Sequence, residues 1–490
     1  MATSFLFYDT ETTGLSRSLD QILEFAAIRT DQALQEVERV RIRIRLRPDV
    51  LPSPAALLVH RIRPADLAEG RSEYEAVREI HGRLTRPGTW SLGYNSIGFD
   101  DEFLRFSFYR NLLPPYEHQY ARGCRRLDLF PVALLYWVQE SDLLTWPHPE
   151  GRVSFRLEDL GRENAIFDGR CHEALEDAAA CLELARRLAR NADLWAWALG
   201  AFDPEVDAGR LERLPVAFQS ELGDHRLALL LSGEWGTQNG FLAPVLGIGF
   251  SEPYPKQSLW LRLDRPFPPA SAGEEASSPA DAGVARKRLG EPGILLPPRE
   301  RYLARLGEER RRLFTAHLEW LQAHPTEFAA HVRRHRGWRH PPVAQLDPDA
   351  GLYQNGFLPR PDEALCRSFH EAGWEERVAL AERFASPQAR MLARRLIFRN
   401  HPGPLPEALA REAEAQLRQI ACGPPARDHA GRLRRTPLDA LAEIERLGGS
   451  PETDDASGKL LAELKREIVD RWGAYLPGAV RQAPLPLAGL

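Results

Sequence analysis

Asp9 and Glu11 stand one residue apart directly after the apolar run Phe5-Leu-Phe-Tyr8, within Asp9-Thr-Glu-Thr-Thr-Gly-Leu15. On an extended strand, positions i and i+2 face the same way, so both carboxylates point to one side near the strand's end. Two neighbouring carboxylates repel, and a hard divalent cation with oxygen ligands relieves that repulsion. A bare Asp-x-Glu is more often a solvated strand end; the Thr-Thr-Gly that follows makes that reading less comfortable.

Two further motifs carry acidic groups. In Gly93-Tyr-Asn95-Ser-Ile-Gly-Phe99-Asp100-Asp101-Glu102, an apolar strand ends in Gly-Tyr-Asn and Phe-Asp opens a helix, which brings Asp100 to the rim of a sheet. The plainer role for Asp100 or Asp101 is to favour a helix N-terminus. In Cys171-His172-Glu-Ala-Leu-Glu-Asp177-Ala-Ala-Ala180, Asp177 lies on a helix among alanines, where backbone or ligand can approach closely. His172, five positions earlier, has an ordinary pKa of about 6.5, suited to a general base near neutral pH. Glu173 and Glu176 read as surface residues.

The elements that must position these groups follow from apolar periodicity. Residues 5–8 and 22–28 read as strands, and Ile42, Ile44 and Leu46 alternate with Arg41, Arg43, Arg45 and Arg47 as in a half-buried strand with one basic face. Helical patterns cover 99–112, 155–164 and 172–188, giving an α/β domain to about residue 195. After Ala201, short strand-like segments at 227–231, 241–248 and 258–263 indicate a small β domain. Residues 268–284 have almost no large apolar side chains and read as a flexible insertion. Helical composition returns from Arg299 to about Tyr475, before a Pro-rich tail.

Each motif alone has a bland explanation. In the order Asp-x-Glu, Asn-x-x-x-Phe-Asp, His-x-x-x-x-Asp, they match the DEDD exonuclease pattern, and the histidine places the match in the DEDDh branch. Phe5–Glu11, Phe25-Ala-Ala-Ile-Arg-Thr-Asp31, Leu92–Asn111 and Ser154-Phe-Arg156-Leu-Glu further resemble the bacterial exodeoxyribonuclease I family. Tyr353-Gln-Asn-Gly-Phe357 and Arg399-Asn-His-Pro-Gly-Pro404 extend that resemblance over most of the chain.

The resemblance implies an RNase H-like DEDDh exonuclease domain with a mixed sheet over residues 1–198. An SH3-like β domain would follow over 199–346 and an α-helical C-terminal domain over 347–490. It also implies processive, metal-dependent 3′→5′ hydrolysis of single-stranded DNA to 5′-mononucleotides, in DNA repair and recombination. In a two-ion magnesium site, which manganese should also fill, Asp9 is the shared ligand. Glu11 and Asp177 complete one ion's shell, Asp100 supports the other, and His172 takes the proton from the attacking water. Arg156 stands where the family contacts substrate, and Glu11 is a second candidate for the terminal nucleotide. Basic clusters at 333–340 and 390–399 are candidates for the DNA groove. The C-terminal tail of single-stranded DNA-binding protein is an expected partner, although residues 265–300 diverge from the family there.

Bulk properties narrow the remaining choices. A net charge of -5 means that any affinity for nucleic acid must come from local clusters of Lys and Arg. The five cysteines form no C-x-x-C pair, which argues against a zinc site or a disulfide framework. No signal peptide or membrane span is read, so a cytoplasmic, monomeric enzyme is expected. A proofreading or RNA-trimming DEDDh exonuclease would share all five catalytic residues, but the large C-terminal half speaks against it. A non-catalytic single-strand-binding scaffold would have lost a metal carboxylate, and none is lost here.

Overall fold

Strand β1 (Ser4–Thr12) lies at the centre of a mixed five-stranded sheet. It pairs antiparallel with β2 (Ile22–Thr30), which pairs antiparallel with the edge strand β3 (Glu36–Arg43). On its other side β1 pairs parallel with β4 (Thr89–Gly93), and β4 pairs parallel with β5 (Arg125–Asp128). The chain is described from a computed structural model over residues 3–166, 173–265, 283–451 and 453–477. The basic strand read at 41–47 begins earlier and ends sooner than its alternation suggested. Ile44 makes only an isolated bridge to Arg71, and Arg47 is buried.

Among the described residues, seven α-helices accompany this sheet up to residue 188. They are α1 (Pro54–His60), α2 (Glu73–Leu84), α3 (Asp100–Arg110), α4 (Glu117–Tyr120), α5 (Leu129–Val138), α6 (Leu157–Glu163) and α7 (Ala174–Leu188). The period of two in β1 sorts its side chains between two helical layers. Phe5 and Phe7 face α5 and α7, packing with Leu135, Ala178 and Leu182. Leu6 and Tyr8 face α2 and α3, packing with Val77, Ile80, Phe103 and Leu104. Asp9 and Glu11 therefore continue the α7 side, and Thr10 continues the α3 side.

The second sheet contains β6 (Val216–Ser220), β7 (Gly223–Leu231), β8 (Leu242–Phe250), β9 (Gln257–Arg262), β10 (Val284–Arg288) and β11 (Ile294–Leu296). Its order is β10-β9-β8-β7-β11, with β6 on β7, and every pairing is antiparallel. Val284, read as the end of the flexible insertion, is buried and opens β10; residues 268–282 of that insertion lie outside the described residues. One apolar core spans both sheets, since Leu229, Leu231, Phe241 and Leu296 pack in the same cluster as α5. The helices Gly307–Ala323 and Pro325–Gly337 pack on the second sheet through Leu321, Phe328 and Val332, in a cluster with Leu246, Leu261 and Val284.

The C-terminal region is helical from Arg360–Glu371 to Asp455–Trp472. Its core reaches the nuclease domain through Phe106, Tyr109 and Leu112 at the end of α3. Buried ion pairs reinforce that junction: Arg399 binds Asp49 at 2.6 Å and also Asp349. Arg395 binds Asp347 at 2.6 Å.

Candidate active site

Strand β4 ends at Gly93, level with Tyr8, while β1 runs on to Thr12, and the crevice beyond the carboxyl ends of parallel strands is where α/β sheets place their sites. There Asp9, Glu11 and Asp177 each offer a carboxylate oxygen, all within 4.8 Å of one another. Asp9 and Glu11 arrive by strand alternation, and Asp177 from the first turn of α7 on the same face. Ala178 and Ala180 are fully buried, which lets α7 sit close against β1 and β2.

Asp100 is brought from the opposite layer by a chain of local constraints. β4 ends at Gly93, where a Cβ would meet the Tyr8 carbonyl oxygen at 2.7 Å, so only glycine fits. Asn95 then takes a left-handed conformation at φ 57°, which asparagine tolerates better than most residues. Asp128, at the end of β5, holds this turn by accepting the backbone N–H groups of Asn95 (2.8 Å), Ile97 (3.2 Å) and Phe130 (3.0 Å). Helix α3 follows, and Asp100 in its first turn accepts the Thr10 hydroxyl at 2.5 Å.

The adjacent aspartates have separate tasks. Asp101 is fully buried and ion-paired with Arg105 (3.0 Å), Arg126 (2.6 Å) and His118 (2.6 Å). Burial works against its ionisation, but Arg126, Arg105 and His118 outweigh it and hold the carboxyl below the usual range. Asp100 has no such cation among the described residues. Burial pushes it up to about 7, against the lowering effect of the Thr10 hydroxyl.

Asp9 and Glu11 are raised as well. Burial raises Asp9 well above the ordinary carboxylate range, and Asp100, Asp177, Glu11 and Glu24 add to the effect. Glu11 is pushed up to about 8 by burial and then by Asp177, Asp100 and Glu24. Carboxylates this close and this poorly solvated ionise together only if positive charge joins them. An all-oxygen donor set of this kind fits a hard divalent cation.

Arg156 caps the N-terminus of α6 and is exposed, and its guanidinium makes no hydrogen bond or ion pair among the described residues. Its position is tied to the site because the Tyr94 hydroxyl, within the Gly-Tyr-Asn turn, donates to the Phe155 carbonyl at 2.5 Å. His172 lies outside the described residues. The expected groove cluster at 390–399 is corrected: Arg390 caps the Phe384 carbonyl, Arg394 pairs with Glu382 and Glu412, and Arg395 and Arg399 are buried in ion pairs. These arginines are occupied holding the helical region together. Within 333–340, Arg336 likewise donates to the Ile248 carbonyl at 2.7 Å and Arg333 pairs with Glu221.

Sequence reasoning missed Thr10, Tyr94, Asp128 and Glu24. Asp128 had a signal, an acidic residue between Leu127 and the apolar helix that starts at Leu129. Glu24 had another, as the single charged residue in the otherwise apolar strand Ile22–Ile28.

Known proteins share this fold. The RNase_T family, described as exonuclease, matches residues 6–185. Exodeoxyribonuclease I of Buchnera aphidicola subsp. Schizaphis graminum is 37% identical over 191 residues, 38% of this chain and 40% of that protein. The aligned sequence thus spans well under half of that curated relative. Structural likeness reaches further. The zinc-bound Escherichia coli ExoI–ssDNA complex superposes with a TM-score of 0.82 at 25% identity, over 96% of this chain and 100% of that one. The structure of SSB/Exonuclease I with the inhibitor CFAM superposes with a TM-score of 0.81 at 25% identity, with the same coverage. Residues 6–185 are therefore similar to the RNase_T exonuclease family, within a chain whose overall fold is that of exonuclease I.

Proposed function

We propose that this chain is an exodeoxyribonuclease I, hydrolysing single-stranded DNA from its 3′ end to 5′-mononucleotides. The observation that carries the reading is the cluster of Asp9, Glu11 and Asp177 with Asp100 held beside it by Thr10. The four carboxylates would hold two magnesium ions, with manganese as a substitute. Bound there, divalent cations supply Lewis-acid polarisation of the phosphodiester and activation of the attacking water. Asp9 is assigned as the ligand that both ions would share. Glu11 and Asp177 complete one shell, and Asp100, restrained by Thr10, serves the other. His172 takes the proton from the attacking water. The free guanidinium of Arg156 pairs with a phosphate near the 3′ end, a task suited to its forked donors.

Single-strand selectivity would be steric, with the C-terminal region packed against the nuclease domain beside the site. Ser16, just beyond the catalytic strand, donates to Asp428 at 3.0 Å, and the Tyr353 hydroxyl contacts Glu102 and Arg105 on α3. Tyr353 and Phe357 are exposed beside that junction and offer ring faces for base stacking.

The reading divides the chain into an exonuclease domain at 1–198, an SH3-like domain at 199–346 and a helical domain at 347–490. It also makes the chain a cytoplasmic monomer that docks the C-terminal tail of single-stranded DNA-binding protein. Among the described residues, no helix is long and apolar enough to cross a membrane. Directionality is tested with oligodeoxynucleotides carrying a nuclease-resistant linkage at one end. Protection by a 3′ block and none by a 5′ block is expected; the reverse would refute 3′→5′ action.

A further inference from the structure

Glu24 is a buried acid in the wrong place for a purely structural residue. It sits on β2 directly opposite Glu11 in the antiparallel register, so the two side chains share the α7 face of the sheet. Like charges facing each other across a strand pair are unfavourable, and Glu24 is only 1% exposed. Its Oε2 is held from the outer side by Arg41 at 2.8 Å and Arg43 at 3.1 Å, two arginines of the edge strand β3. Its Oε1 is buried and has no hydrogen-bond partner among the described residues.

The result is a row of charge across three strands. Asp9 and Glu11 lie on β1, Glu24 on β2, and Arg41 and Arg43 on β3. The arginines are 37% and 41% exposed at the side chain, so they are anchored at one end and wet at the other. If Glu24 served only to pin β3, both of its oxygens should face the arginines. One faces them, and the other is desolvated and unpaired beside Glu11. A buried acceptor left unpaired is costly unless a donor arrives.

We infer that Glu24 is a positioning residue of the nuclease site, resting on the proposed function above. Its Oε1 takes a hydrogen bond from the hydration shell of a cation held by Asp9, Glu11 and Asp177, while Arg41 and Arg43 fix its other oxygen. Glu24 lies outside the three-carboxylate group, so it acts through that shell and through Glu11 rather than as a ligand. Outer partners of this kind orient ligands and tune metal affinity.

The test is calorimetric titration of the full-length, DNA-free chain with Mn²⁺, comparing wild type, Glu24→Gln and the Arg41→Ala/Arg43→Ala double variant. Glu24→Gln keeps the shape and removes the charge. It should weaken binding by about 10–100-fold and lower cleavage at limiting Mg²⁺, with recovery at high Mg²⁺. The double variant should lose less affinity, because Glu24 itself remains. Wild-type affinity in Glu24→Gln would overturn the inference alone. So would equal losses in the two variants tracking a shared fall in Tm, since that is the mark of a strand anchor. Failure of the wild-type chain to bind Mn²⁺ would overturn both the inference and the functional reading beneath it.

Discussion

The Thr10 hydroxyl donates to Asp100 at 2.5 Å, tying the catalytic strand β1 to the first turn of α3 across 90 positions of sequence. This bond matters electrostatically as well as sterically, because it lowers the pKa of a carboxyl that burial raises to about 7. Thr10→Val keeps the shape and deletes the donor. Asp100 should then titrate higher, moving the acidic limb of the cleavage–pH profile to higher pH, with a loss of about tenfold near neutrality, the scale of one pKa unit. An unmoved profile would show that Thr10 does not tune the site.

The carboxylate cluster is an electrostatic burden until a cation joins it. Asp9→Asn and Asp177→Asn should fold normally and cleave only at background rate. Without metal they should melt no lower than wild type, because each removes a source of repulsion. Circular dichroism melts and a cleavage assay separate this from simple misfolding: loss of both fold and activity would contradict it.

The metal-free protein should also have an inverted pH dependence. Glu11 titrates near 4.5 without its surroundings and near 8 within them. Between those values the folded chain retains a proton that the unfolded chain has released. The stabilisation is therefore complete below the lower value and is lost as pH rises through the higher one. In EDTA, Tm should fall by several degrees between about pH 6 and about pH 9. Glu11→Gln should flatten part of that fall, and Mg²⁺ should raise Tm more at the higher pH. A metal-free Tm that climbs with pH would contradict the assignment.

Much of this site could be read from the residues themselves. Alternation alone placed Asp9 and Glu11 on one face, and the alanines around Asp177 correctly signalled a closely packed helix. Distinguishing Asp100 from Asp101 by physics needed the fold, because only three-dimensional proximity shows Arg105, Arg126 and His118 around Asp101. The arginines at 390–399 failed for the same reason. Their acidic partners Asp49, Asp347 and Glu412 are distant in sequence or on another helix, and a basic run does not reveal what neutralises it. β5 and the anchoring role of Asp128 were missed because a four-residue strand leaves too short a pattern.

The junction between the nuclease domain and the helical region depends on a buried cation. The Arg399 side chain is 1% exposed between Asp49 and Asp349, which are no more exposed than it is. Arg399→Ala removes the nearest cation from two buried carboxylates and should cost about 3–5 kcal/mol. Arg394→Ala, which breaks pairs at a more exposed surface, should cost under about 1 kcal/mol. Denaturant unfolding of both variants gives the comparison, and equal costs would mean that the buried network does not hold the junction.

Arg156 is the one guanidinium near the site assigned to substrate alone. Arg156→Ala should raise KM for single-stranded DNA with little change in melting temperature, and Arg156→Lys should recover part of the loss, since it restores charge without the fork. His172→Ala should instead lower kcat by about 10²–10⁴-fold with metal binding preserved. A change in Mn²⁺ affinity in the His172 variant would move that residue from base to ligand.

The central claim is tested most directly by incubating a 5′-labelled single-stranded oligodeoxynucleotide with the protein in Mg²⁺ or in EDTA, beside matched duplex and RNA. Progressive shortening from the 3′ end with release of mononucleotides, only with metal and much faster than for duplex or RNA, is the predicted result. Tight binding of the single strand without any cleavage, or a clear preference for RNA, would contradict it.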